Sequence, residues 1–105
     1  MLDIFLLVSR DDEYTINSIN SFLKIETNQE INKYISITKK IINKINLNNQ
    51  SLENTKIIEH DFKFKTAREH VENLVFRAKG EYVMHLHDDD IFGKDIAIDM
   101  YKIIE

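Results

Sequence analysis

Hydrophobic positions along this chain recur with more than one period, and each change of period marks an element. Leu2 to Ser9, LDIFLLVS, is a short and almost unbroken apolar run, the pattern of a strand buried on both faces of a parallel sheet. RDDEYTINSINSFLKIE follows, with its acids clustered first and Ile16, Ile19, Phe22 and Leu23 then recurring at helical spacing. Acids in a first turn complement the helix dipole, so the segment reads as polar turn and amphipathic helix. In the middle, Ile35 and Ile37 alternate, whereas Ile41, Ile42 and Ile45 have helical spacing. That predicts a strand over Tyr34 to Thr38 and a helix around Lys39 to Leu47, with a single long helix broken near Asn48 as the alternative. Lys56 to His60 is a further short strand.

The pattern sharpens from Thr66. Thr66 and Glu69 have the spacing of a capping box, and Ala67, Val71, Leu74, Val75 and Ala78 form one apolar stripe. The stripe predicts a helix over Thr66 to Lys79, with Gly80 at its end. EYVMHL then reads as a strand, and Ile96, Met100, Ile103 and Ile104 mark a last amphipathic helix with Asp95 as its N-cap. Strands alternating with helices in this way predict an α/β fold with a mainly parallel sheet and flanking helices.

Composition narrows the functional classes. At 105 residues the chain is one domain, 1–105, or a part of one, and the expected sheet is incomplete. Its charges are of mixed sign with a net of −4, which excludes the clustered basic face of a nucleic-acid platform. Cysteine is absent, so no thiolate metal site is available and any metal must take oxygen or imidazole ligands. No apolar run approaches the roughly 20 residues of a membrane span. Met1 to Val8 has no basic region ahead of its apolar stretch, so it does not read as a secretion signal, and a cytoplasmic protein is expected.

The chemistry gathers in GEYVMHLHDDDIFG, residues 80–93, where His85, His87, Asp88, Asp89 and Asp90 follow a predicted strand. Five ionisable groups this close repel one another or compete for protons unless a cation or ligand is expected among them. In open α/β sheets ligands bind outside the carboxyl ends of the strands, which is where this turn falls. Residues two apart on an extended chain project to the same side, so Asp88 with Asp90, or His87 with Asp89, can share one ion. Oxygen-rich ligation suits Mg²⁺ or Mn²⁺, which use one or two carboxylates and let substrate phosphates complete the shell.

AKGEYVMHLHDDDIFGKDIAIDMYKIIE, Ala78 to Glu105, resembles the segment of family-2, GT-A-type glycosyltransferases in which a helix ends in A-x-G-E-Y, a strand follows, and a D-x-D loop precedes the next helix. LDIFLLVSRDDEYTINSINSFL is similar to the first strand, nucleotide-facing turn and first helix of that family, with Ser21 in the S-[FIL]-L end of the helix. The resemblance implies a Rossmann-like GT-A fold that binds a nucleotide diphosphate sugar, a UDP- or GDP-sugar, for transfer of the sugar to an acceptor hydroxyl. It implies that Asp88, Asp89 and Asp90 hold the divalent ion on the diphosphate. It also implies that Ser9, Arg10, Asp11 and Asp12, with His87 and Asp88, approach the nucleotide. The catalytic base would belong to an acceptor half outside these residues. Three positions depart from the family pattern: His87 stands at the first acid of D-x-D, Lys94 replaces a frequent proline, and YISITKKI lacks the acidic pair that ends the second strand.

Other readings compete for single residues. HLHDDD also resembles H-x-H-x-D-H, the metal-ligand turn of metallo-β-lactamase-fold hydrolases, with His85, His87 and Asp89 in place and Asp90 where the last histidine would stand. That fold wants β-hairpins ahead of the turn, whereas a helix is predicted there. A truncated glycosyltransferase-like domain that transfers nothing is the non-enzymatic alternative. His85 is expected to pack in or beside the sheet, His60 and His70 to lie at the surface or between helices, and Tyr14 and Tyr82 to be packing residues. Arg68 and Arg77 fit an exposed helix face as well as a diphosphate. Asp11 and Asp12 fit the nucleotide or the helix dipole equally. Self-association is expected at the exposed edge of an incomplete sheet.

Overall fold

A computed structural model describes residues 1–45, 47, 52, 54–60, 67–75 and 77–104. Four strands and four helices alternate along them: β1 (Leu2–Leu7), α1 (Glu13–Leu23), β2 (Ile31–Thr38), α2 (Lys39–Ile45), β3 (Thr55–His60), α3 (Ala67–Val75), β4 (Tyr82–His87) and α4 (Ile96–Ile104). All strand pairings are parallel, in the order β3-β2-β1-β4. The fold is α/β with a parallel sheet, as the alternation predicts, and Rossmann-like, as the resemblance implies.

Parallel strands need both faces covered, and the side chains of β1 divide accordingly. Leu2, Ile4 and Leu6 point to one face, where they meet Ile35 and Ile37 of β2, Ile19 and Phe22 of α1, Ile42 of α2 and Ala97 of α4. Phe5 and Leu7 point to the other, where Leu74 and Val71 of α3 cover them and Phe5 stacks on Tyr34 with ring centroids 4.9 Å apart. The right-handedness of parallel crossovers accounts for this division. Steps from β1 to β2 to β3 run one way across the sheet and keep α1 and α2 on one face. The return from β3 to β4 runs the other way and carries α3 to the opposite face.

Two charged residues buried in the sheet fasten these layers. Asp3 of β1 accepts the N–H of Lys79 at 2.6 Å, the N–H of Gly80 at 2.8 Å and the Asn32 amide at 2.9 Å. Lys33 of β2 reaches the end of α1, where its Nζ donates to the carbonyls of Phe22, Leu23 and Ile25 at 2.8 to 3.0 Å. The Phe22 carbonyl also accepts the Ile25 N–H at 3.1 Å, and the buried ammonium adds a donor at this end of the helix, where carbonyls run out of intrahelical partners. Burial pushes the Lys33 amine down to about 8.

These bonds also explain where the sequence pattern misplaced boundaries. β2 begins at Ile31 rather than Tyr34, because Asn32 and Lys33, polar in the sequence, spend their polarity on Asp3 and on α1. A separate β2 and α2 replace the alternative of one long helix; the break expected near Asn48 lies outside the described residues. The predicted helix over Thr66 to Lys79 is observed as Ala67–Val75, and Thr66, with its capping box, lies outside the described residues. Gly80 does not cap that helix. It is pressed against the chain ahead of β1, where an added Cβ would meet the Met1 carbonyl oxygen at 2.7 Å.

Candidate functional site at the carboxyl edge of β1 and β4

In the order β3-β2-β1-β4 the chain leaves β1 towards β2 and returns on its other side as β4. The crevice between the carboxyl ends of β1 and β4 is therefore the topological switch point, the usual ligand position in an open α/β sheet. The loop after β1 carries Ser9 to Asp12, and the turn after β4 carries Asp88 to Asp90.

Asp88 joins the two. Its Oδ2 accepts the backbone N–H of Ser9 at 2.9 Å and of Arg10 at 3.1 Å, and the residue is buried. The Arg10 guanidinium stands among three carboxylates: its Nη2 lies 3.7 Å from Asp88 Oδ1 and 3.9 Å from Asp89 Oδ2, and its Nε lies 3.9 Å from Asp12 Oδ2. Asp88 and Asp89 are thus gathered about one cation, while Asp90 is exposed and donates its N–H to the His87 carbonyl at 3.4 Å.

The structure separates Asp11 from Asp12. Asp12 is the N-cap of α1, its Oδ1 accepting the Thr15 N–H at 2.9 Å. Asp11 turns away to α2, where its Oδ2 pairs with Lys44 Nζ at 2.6 Å, and the Lys44 ammonium holds its carboxyl below the usual carboxylate range. Lys44 carries no motif, and helical spacing alone would not have placed it beside the β1–α1 loop.

α1 supports the acidic turn from below. Ser18 Oγ donates to the His87 carbonyl at 3.4 Å, Ser21 Oγ accepts the Phe92 N–H at 3.1 Å, and Phe92 packs edge-on to Phe22 with centroids 6.2 Å apart. Beyond the turn, Glu26 donates its N–H to the Lys94 carbonyl at 2.7 Å. Asp95 precedes α4 as an N-cap should, its carbonyl accepting the Asp99 N–H at 2.9 Å.

The histidines and tyrosines depart from expectation. His85 and His87 are exposed, with rings edge-to-face at 5.6 Å, because β4 is an edge strand and α3 lies over β1 and β2. His60 and His70 are instead buried between the sheet and α3, with Ser36 Oγ and His70 Nε2 sharing a 2.6 Å hydrogen bond and the two rings 5.3 Å apart. Burial and the neighbouring His60 push His70 down to about 4. Tyr14 and Tyr82 are exposed at 72% and 44%, so neither is a packing residue. Arg68 and Arg77 lie along α3 and just past it, bonded to Glu72 and Asn73, and both are exposed.

Among the described residues no group of three His, Asp or Glu side chains is arranged to hold a metal ion, and none forms around His85 and His87. The carboxylates of Asp88 and Asp89 both face the Arg10 guanidinium, at 3.7 Å and 3.9 Å. Two hard oxygen ligands suit Mg²⁺ or Mn²⁺ when phosphates supply the remainder, so the donor set fits such an ion as part of a ternary site.

Solved structures share this fold. The chain is similar to a crystal structure of S. aureus TarS residues 1–349, with a TM-score of 0.73 and 16% identity, covering 98% of this chain and 32% of that one. It is also similar to a longer S. aureus TarS structure, with a TM-score of 0.65 and 16% identity, covering 98% of this chain and 19% of that one. The chain therefore spans about a third or less of the length of these structures, and the likeness establishes the fold. No protein-family profile matches the sequence, and no curated protein matches it significantly. Among the described residues no helix is long and apolar enough to cross a membrane.

Proposed function

We propose that this chain is the donor-binding part of a glycosyltransferase of the GT-A kind. It would hold a nucleotide diphosphate sugar, a UDP- or GDP-sugar, across the carboxyl edge of β1 and β4. One observation carries the reading: Asp88 joins the β4 turn to the β1 loop at the topological switch point through the N–H groups of Ser9 and Arg10. TarS, whose fold this chain shares in part, is a staphylococcal wall teichoic acid glycosyltransferase, which favours the same class.

In this proposal Ser9 and Arg10 face the nucleotide, Asp11 stays paired with Lys44 of α2, Asp12 orders the loop from the helix end, and Asp88 and Asp89 hold Mg²⁺ or Mn²⁺. The ion, when bound, would neutralise charge developing on the leaving diphosphate. The chain's own part is to fix the loop geometry and to gather carboxylates at one end of the sheet. Self-association belongs to the proposal as well, at the edge of β4, where Tyr82 and Val83 are exposed. A clean monomer by size-exclusion chromatography would remove that part.

The test is calorimetric titration of UDP and GDP with Mn²⁺ and again with EDTA, in the wild type and in Asp89→Asn. Nucleotide binding that needs Mn²⁺ and weakens in Asp89→Asn supports the donor site. Absence of nucleotide binding under every condition sinks it.

A further inference from the structure

Arg10 plays two parts at the acidic turn, and they are separable. Its backbone N–H bonds Asp88 Oδ2 at 3.1 Å, within hydrogen-bonding range, and this fixes the main chain. Its side chain makes no contact so close. The guanidinium stands 3.7 to 3.9 Å from Asp88, Asp89 and Asp12 and is 47% exposed, so charge rather than directional bonding keeps it there. One positive charge faces three negative ones. Nη2 in particular is near both acids of the turn, 3.7 Å from Asp88 Oδ1 and 3.9 Å from Asp89 Oδ2.

We propose that the Arg10 guanidinium is the resident counter-ion of this turn, standing where a divalent ion would bind, and that the ion enters by displacing it. The inference rests on the donor-site reading for the identity of the ion. Two cations a few ångströms apart repel, so guanidinium and metal cannot both occupy the space between Asp88 and Asp89. The long arginine side chain is half-exposed and can swing out without disturbing the backbone bond to Asp88. Once displaced, it is free to meet an anion, and a guanidinium fits a phosphate in bidentate fashion. The free chain therefore binds Mn²⁺ weakly because its site already holds a cation.

The experiment measures Mn²⁺ affinity from the electron paramagnetic resonance signal of the free ion, in the wild type, Arg10→Gln and Arg10→Lys, with circular dichroism confirming the fold of each. Arg10→Gln keeps the backbone N–H and removes the charge. It is expected to bind Mn²⁺ about tenfold more tightly than the wild type, the scale of two long ion pairs that no longer compete. Arg10→Lys, which keeps a cation, is expected to stay near the wild type. Equal or weaker Mn²⁺ binding by Arg10→Gln, or no Mn²⁺ binding by any of the three, overturns the displacement. Titration of UDP into the same samples separates the two readings. Tenfold tightening without nucleotide binding supports the displacement and removes the donor site. Nucleotide binding with unchanged Mn²⁺ affinity in Arg10→Gln removes the displacement alone.

Discussion

Gly80 passes so close to Met1 that a Cβ on it would stand 2.7 Å from the Met1 carbonyl oxygen. The approach is held by Asp3, whose Oδ2 takes the Gly80 N–H at 2.8 Å. Gly80→Ala must push the connection off β1 or loosen the Asp3 bonds, a local overpacking that costs about 1–3 kcal/mol. A lower urea midpoint is the expected result. Mn²⁺ and nucleotide affinity should not change, since Gly80 precedes β4 and the acidic turn follows it at the other end. Wild-type stability in Gly80→Ala would rule out the close approach as the reason for glycine.

Asp88 and Asp89 are neighbours with different work. Asp88 is buried and accepts two backbone N–H groups from the β1 loop, whereas the Asp89 side chain is 59% exposed and meets only the Arg10 guanidinium among the described residues. Asp88→Ala leaves the Ser9 and Arg10 amides without their acceptor, for an expected loss of about 2–3 kcal/mol. Asp89→Asn should change stability by less than about 0.5 kcal/mol. Amide exchange by NMR reads the difference directly: protection at Ser9 and Arg10 should be lost in Asp88→Ala and kept in Asp89→Asn. Retained protection in Asp88→Ala would show that something else closes the loops.

Much of this architecture is readable in the chain, for reasons that differ from element to element. LDIFLL is nearly all apolar because β1 lies between β2 and β4 and is covered on both faces, so periodicity suffices to find it. The features that resemble glycosyltransferases have local physical causes here. Gly80 is required by its contact with Met1, and Ser21 holds the Phe92 amide under the turn. Both therefore report the fold more directly than the chemistry. What periodicity could not deliver was set by contacts distant in sequence. The polar Asn32 and Lys33 hid the start of β2 because their partners, Asp3 and the end of α1, belong to other elements. Asp12 caps the Thr15 amide, and Asp11 pairs with Lys44, from a segment with no motif at all. His60 and His70 gave no sign of burial because their company, Ser36 and each other, is assembled only when β2, β3 and α3 meet.

That buried group carries a pH dependence. His70 is held down to about 4 by burial first and by the adjacent His60 second, against an ordinary 6.5. The folded state therefore binds the His70 proton less readily than the unfolded chain, and stability rises with pH across this window. Its contribution is fully present above about pH 6.5 and is lost as pH falls towards 4, by at most about 3 kcal/mol. Comparison with His70→Gln isolates the effect, because His60 and the carboxylates titrate in both proteins. Urea unfolding at intervals from pH 7 to 4 should show the wild type losing stability relative to His70→Gln as the pH drops. Parallel curves for the two proteins would mean that His70 is protonated as easily in the fold as outside it, and that the space between Ser36 and His60 is wetter than the geometry implies.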